Sequence, residues 1–253
     1  MSPSPEASPA PAPADAPMRL AAIGDLHVGE DDQQPYREMF AEISERADAL
    51  ALCGDLTNYG KPKEVAILCE DLAAACRVPV VGVLGNHDYE CGHQQEVTDL
   101  LHQAGVRFLD GQAHEINGVG FAGAKGFIGG FGRHMLGAFG EEAIKAFVQS
   151  SVDENLKLEM SLRMLRNERV VVVLHYSPIP ETLVGEPPEI FPFLGNSRMG
   201  ETIDRFDTVK LVLHGHAHRG THQGRTPRGA PVYNVARPVM LREQGRPYAL
   251  IEV

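Results

Sequence analysis

The 253 residues carry a formal net charge of −11, with 43% hydrophobic and 23% charged side chains. That is the balance of a globular chain able to bury one full core, and its acidity argues against a broad basic surface for nucleic acid or anionic lipid. No run of 18 apolar residues occurs, so no membrane helix is expected. The four cysteines (Cys53, Cys69, Cys76, Cys91) form no CxxC pair and no disulfide framework. Reduced thiols and a cytoplasmic location are the expectation.

Residues 1–17 are almost entirely proline, alanine and serine. They lack the pattern of a signal peptide, and with so little to bury they are expected to form a disordered tail before one domain over 18–253. A short apolar strand at 19–23 then ends in Gly24-Asp25-Leu26-His27, and Tyr36, Met39, Phe40, Ile43 and Ala47 follow at helical spacing. A second strand at 49–53 ends in Gly54-Asp55, and Lys61-Pro62 opens a helix with Val65, Leu68, Leu72 and Cys76 on one face. The third strand, a β-branched run at 80–84 without polar alternation, reads as buried and parallel, and stops at Gly85-Asn86-His87-Asp88. A helix is expected over 93–104. Strand and helix alternating three times predict a parallel sheet with right-handed crossovers.

The pattern then changes to short pieces at 106–109, 113–116 and 119–124, which read as adjacent strands of a second sheet layer. A glycine-rich loop over 123–137 contains neither GxGxxG nor a P-loop, so it lacks a nucleotide-cradling motif. Residues 141–166 read as one or two helices. A buried strand at 169–174 is followed at once by His175, and a proline-rich excursion makes a long loop. The strand at 209–213 runs into His214-Gly215-His216-Ala217-His218, and strands near 231–236 and 248–253 close the chain.

Five apolar strands thus end in carboxylates, imidazoles and one carboxamide. If the strands are neighbours, these groups converge on one edge, where open α/β folds place their ligands. Without a cysteine among them, they describe a site for hard-to-borderline metal ions; an all-oxygen calcium site and a thiolate zinc site are both disfavoured. The donors outnumber what one ion needs, so two ions sharing a carboxylate is the economical reading, the arrangement suited to displacement at phosphorus.

Asp25-x-His27, Gly54-Asp55, Gly85-Asn86-His87-Asp88, His175 and Gly215-His216-x-His218, in this order, resemble the motif series of the calcineurin-like binuclear metallophosphoesterases. The resemblance implies a four-layer α/β/β/α sandwich and two divalent or trivalent ions (Mn, Fe or Zn). It places Asp25, His27, Asp55 and His218 on the first ion, and Asp55, Asn86, His175 and His216 on the second. His87 corresponds to the family's non-ligand histidine, donating to the leaving oxygen, with Asp88 to orient and charge it. Tyrosine-ligated iron relatives carry a tyrosine where this chain has Asn58, with Tyr59 one residue late, which argues against that subtype. The implied activity is hydrolysis of a phosphate ester by a metal-activated water, with phosphodiester hydrolysis ahead of phosphomonoester, phosphoprotein or nucleic-acid hydrolysis. A non-catalytic scaffold is the reading from a different class, disfavoured because every ligand position is filled. His214 reads as structural. Lys125, Arg133, His134, Asn196 and Arg198 are candidates to grip a phosphate or leaving group, and the oligomeric state is left open.

Overall fold

Valine-rich segments that lack polar alternation have to be covered on both faces, and this chain covers them by stacking two sheets between helices. The structure is a computed structural model and describes residues 17–253. All but the last residue of the expected tail lies outside the described residues.

Strand β1 (Arg19–Ile23), helix α1 (Arg37–Arg46), strand β2 (Ala49–Cys53), helix α2 (Pro62–Ala75), strand β3 (Val80–Val83), helix α3 (Gln94–Gln103) and strand β4 (Val106–Phe108) come first. The four strands are parallel neighbours in that order. A hairpin of β5 (Ala113–Ile116) and β6 (Val119–Gly123) then opens a second sheet. Its turn is Asn117-Gly118, both at positive φ (50° and 78°) as a two-residue hairpin turn of this type demands. Helix α4 (Glu142–Met164) leads to β7 (Val170–Val173), and short helices α5 (Phe191–Leu194) and α6 (Ser197–Ile203) precede β8 (Val209–His214). The chain finishes with β9 (Gln223–Arg225), β10 (Pro231–Asn234), α7 (Arg237–Gln244) and β11 (Ala249–Glu252). The second sheet runs β5-β6-β7-β8-β10-β9, while β11 crosses back to pair antiparallel with β1.

Side-chain alternation sorts the core into three layers. Ala21 and Ile23 point toward α1, α2 and α3, whereas Leu20 and Ala22 point between the sheets. Val171 and Val173 meet them from the second sheet, and Val170 and Val172 face outward onto α4 and α6. This is the expected four-layer sandwich.

Two sequence expectations need correction. The segment at 106–109 does not join the second sheet: β4 pairs parallel with β3, Val80 opposite Val106, because α3 is a complete crossover that returns the chain to the first sheet. The expectation of a single sheet edge is the second: β1, β2 and β3 lie in the first sheet, whereas β7 and β8 lie in the other. The polar strand ends accordingly gather where the carboxyl edges of two sheets meet, rather than on one. His175 Nδ1 from the second sheet donates to the Cys53 carbonyl of the first at 2.9 Å, and Gly24 pairs with Ala236 across the same seam.

Candidate metal centre

The loops that leave β1, β2 and β8 are bent by backbone conformations that side chains seldom adopt. Asp25 (φ 61°), His27 (φ 51°), Asp55 (φ 50°) and His216 (φ 69°) all lie in the left-handed region, which disfavours residues with a Cβ by about 1–2 kcal/mol each. The strain persists because the loops are bonded to one another: Asp25 N–H donates to Gly54 O, His27 N–H to Asp55 O and Val28 N–H to Leu56 O, at 2.9–3.1 Å. Gly85 is needed for close approach. A Cβ there would sit 2.1 Å from Asp55 Oδ1 and 2.2 Å from Asp55 N.

Three groups of donor atoms result, each within 4.8 Å: two clusters, Asp25, His27 and His218, and Asp55, His175 and His216, and a third group of His27, Asp55 and His87 that shares a member with each. His218 Nε2 lies 2.9 Å from Asp25 Oδ1. His27 Nε2 lies 4.0 Å from Asp25 Oδ1 and 3.9 Å from Asp55 Oδ2. His175 Nε2 lies 3.4 Å from Asp55 Oδ1 and 3.0 Å from Asn86 Oδ1. All seven sequence candidates for metal ligation are therefore drawn together at the seam.

The donors fit metal ligation. His27 Nε2 is buried without any hydrogen-bond partner, although two carboxylates face it, a state that is costly unless an ion completes it. The outer nitrogens of two other imidazoles are already engaged, His175 Nδ1 by Cys53 O and His216 Nε2 by Phe193 O, which aims the remaining nitrogen of each ring inward. The mixture of oxygen and nitrogen without thiolate suits hard-to-borderline cations.

In the metal-free site the electrostatics separate the two imidazoles, His175 charged and His216 neutral, so His175 must release its proton to hold an ion. Burial opposes ionisation of Asp55, but neighbouring His175 outweighs it and holds the carboxyl below its ordinary range. Burial likewise opposes charge on His175, yet Asp55 and Asp25 push it up to about 9. Burial pushes His216 down to about 3, keeping it neutral as a ligand must be. His214, buried and pushed down to about 4 mainly by desolvation, bonds Gly215 O through Nδ1 and Thr182 Oγ1 through Nε2, a structural role.

His87 stands beside the clusters, its ring 4.6 Å from that of His27 and its amide donating to Asp55 Oδ1 at 2.8 Å. The orienting partner expected for it needs correction. His87 Nδ1 donates to the Asn58 carbonyl at 2.7 Å, and the Asp88 carboxylate does not touch the ring. Asp88 is fully buried and accepts from Leu56 N, Thr57 N, Thr57 Oγ1 and Gly85 N. It pins the loop after β2 to the loop after β3. Burial, with Asp55 nearby, raises its carboxyl to about 6. Sequence motifs show neither the Asn58 nor the Phe193 carbonyl, because any residue supplies one.

The other candidates disperse. Arg133 and His134 are exposed and bond each other. Asn196 is buried, its Nδ2 donating to Phe127 O at 2.6 Å. Arg198 lines a surface cleft with Asn155, Glu201 and Arg205. Lys125 alone borders a cavity that also contains Asn86. Tyr59 is half exposed, with the Lys61 ammonium over its ring.

Known proteins of similar sequence and fold point the same way. An uncharacterized metallophosphoesterase of Aquifex aeolicus is 35% identical over 105 residues, 40% of this chain and 39% of that protein. A probable cyclic nucleotide phosphodiesterase of Rhodococcus erythropolis is 23% identical over 80% of this chain and 62% of its own length. A glycerophosphodiester phosphodiesterase of Enterobacter lignolyticus is 22% identical, over 81% and 72%. This chain thus spans less than two thirds of the first two relatives. The phosphopantetheinyl hydrolase of Mycobacterium tuberculosis shares the fold, with a TM-score of 0.64 at 14% identity over 92% of this chain and 95% of that one. The family profile for calcineurin-like phosphoesterases matches residues 18–220, a stretch that holds every donor of both clusters, and the chain belongs to that family, hydrolases of phosphate esters.

Proposed function

We propose that this chain is a dinuclear metal-dependent phosphodiesterase, with Asp25, His27, Asp55 and His218 around one ion and Asp55, Asn86, His175 and His216 around the other. One observation carries the reading: the two oxygens of Asp55 face different clusters, Oδ2 toward His27 and Oδ1 toward His175, as a shared carboxylate must. When bound, two ions so placed supply Lewis acidity toward phosphoryl oxygens and lower the pKa of a bound water.

The chain's own groups do the rest. Asp88 holds the two loops that present Asp55 and Asn86 in register. With Nδ1–H committed to Asn58 O, His87 as an imidazolium presents Nε2–H to the departing alkoxide. The names of the Rhodococcus and Enterobacter relatives support a diester over a monoester.

The test is turnover of bis(p-nitrophenyl) phosphate and p-nitrophenyl phosphate after chelation and after Mn²⁺ is restored. Activity should vanish with chelator, return with metal, and favour the diester. Full activity in metal-free protein refutes the metal reading, and preference for the monoester refutes the diester assignment.

A further inference from the structure

Beside Asn86 opens a cavity of about 500 Å³ whose walls include Tyr89, Lys125, Phe127 and Tyr176. The Lys125 ammonium lies over all three rings, 5.3 Å from the Tyr89 centroid, 4.8 Å from Phe127 and 5.3 Å from Tyr176. It donates to Gly126 O at 2.9 Å, and among the described residues no carboxylate forms an ion pair with it. An ammonium has three donors, so two remain.

The phenols add to this surplus. Tyr176 is only 5% exposed, and among the described residues neither its hydroxyl nor that of Tyr89 has a hydrogen-bond partner. Two carboxylates also line the cavity, Glu154, engaged by Gly126 N–H and Lys157, and Asp153, whose Oδ1 accepts from Gln149. The cavity therefore offers unspent donors and a cation, and both oxygens of Glu154 are held by its own partners. Donors clustered in this way around a half-buried ammonium suit an acceptor-rich, negatively charged guest. The Tyr176 ring packs against His216, 4.5 Å between centroids, so such a guest would sit directly beside the metal donors.

We propose that this cavity is a subsite for a second oxyanion of the substrate, a phosphate or carboxylate beyond the phosphoryl group under attack, gripped by Lys125, Tyr89 and Tyr176. This rests on the phosphoesterase reading of the neighbouring clusters. An adjoining cavity of about 650 Å³ shares Tyr89 and Lys125 and continues past Thr98, His102 and Arg107, which gives the rest of such a substrate room.

Calorimetric titration of the Mn²⁺-loaded protein with nonhydrolysable probes tests it. The probes are α,ω-alkane bisphosphonates of three to eight carbons and alkylphosphonates of the same lengths. At one length or more the bisphosphonate should bind at least tenfold more tightly than its monophosphonate. Lys125→Met, which keeps the stem among the rings, should reduce that gain to threefold or less, and Lys125→Arg should retain most of it. Should Lys125→Met fail to fold, Tyr89→Phe removes one hydroxyl and should lower the gain severalfold. No gain at any length, or a gain intact in Lys125→Met, overturns the subsite. Inorganic phosphate binding as a second, Lys125-dependent ligand while no tethered probe gains overturns its assignment to the substrate. A protein that shows the gain yet hydrolyses no diester refutes the reaction and leaves the subsite standing.

Discussion

Gly85→Ala adds one methyl group to a chain of 253 residues, and the geometry makes it a severe test of the site. The new Cβ would lie 2.1 Å from Asp55 Oδ1, 2.2 Å from Asp55 N and 2.8 Å from Asp55 Cγ. Ordinary carbon–oxygen contacts begin near 3.4 Å, so something must move by roughly an ångström, and overpacking of this kind costs about 1–3 kcal/mol. The side chain cannot yield alone, because the backbone nitrogen is just as close and the Asp55 carbonyl is bonded to His27 N–H. For a domain of this size the strain corresponds to a fall of about 2–12 °C in melting temperature. Metal–ligand distances tolerate about 0.2 Å, so a displaced Asp55 should release both ions. Gly137→Ala is the control: a Cβ there meets nothing within 4 Å, and its effect should stay within about 0.5 kcal/mol. Calorimetric melting and elemental analysis of the two variants decide the matter. Gly85→Ala with two ions per chain and the control's melting temperature would refute both the packing argument and the shared role of Asp55.

Asp55→Ala should lose both ions by elemental analysis, whereas His27→Ala should lose about one; retention of two by Asp55→Ala would end the bridging assignment. His87→Ala should lower turnover of an alkyl diester by about 10²–10⁴-fold and of an activated nitrophenyl diester by far less, with metal content unchanged. Equal losses on both would assign His87 to charge stabilisation instead, and loss of an ion would make it a ligand. Asp88 supplies a pH test in metal-free protein. Burial raises its folded pKa to about 6 from an ordinary 3.8, so its contribution to stability is full below pH ~4 and lost as pH rises through about 6. Asp88→Asn lacks that loss. The stability of wild type relative to the variant should therefore fall by up to about 3 kcal/mol between pH 4 and pH 8 in denaturant titrations; a flat difference would contradict the burial argument.

The metal donors were legible because their residue types are chemically uncommon and each follows an apolar strand. Sheet membership was not. Three-residue β4 has no periodicity by which to tell the first sheet from the second, and only the completed crossover of α3 decides it. Helix α7 escaped notice although Pro238 stands in its first turn and Gly245 ends it in the left-handed conformation; its eight residues carry too few apolar positions to declare a period. Asp88 misled for a different reason. A carboxylate next to a histidine in sequence suggests a pair, but the short 3-10 turn at His87–Tyr89 turns the two side chains apart.

The four left-handed residues at the seam bear on what this chain would become without its chemistry. Glycine at Asp25, His27, Asp55 or His216 would relieve backbone strain of about 1–2 kcal/mol each. At Asp25 and Asp55 it would also remove the acceptor of the His216 and His87 amides, so a copy with no reaction to perform would gain thermodynamically chiefly by discarding the two histidines. Drift would favour that exchange, and strained non-glycine residues standing together at four such positions mark a surface kept for use. Any engineering programme that scores this protein by melting temperature alone would select toward the glycines first, and would trade away its ligands while appearing to improve it.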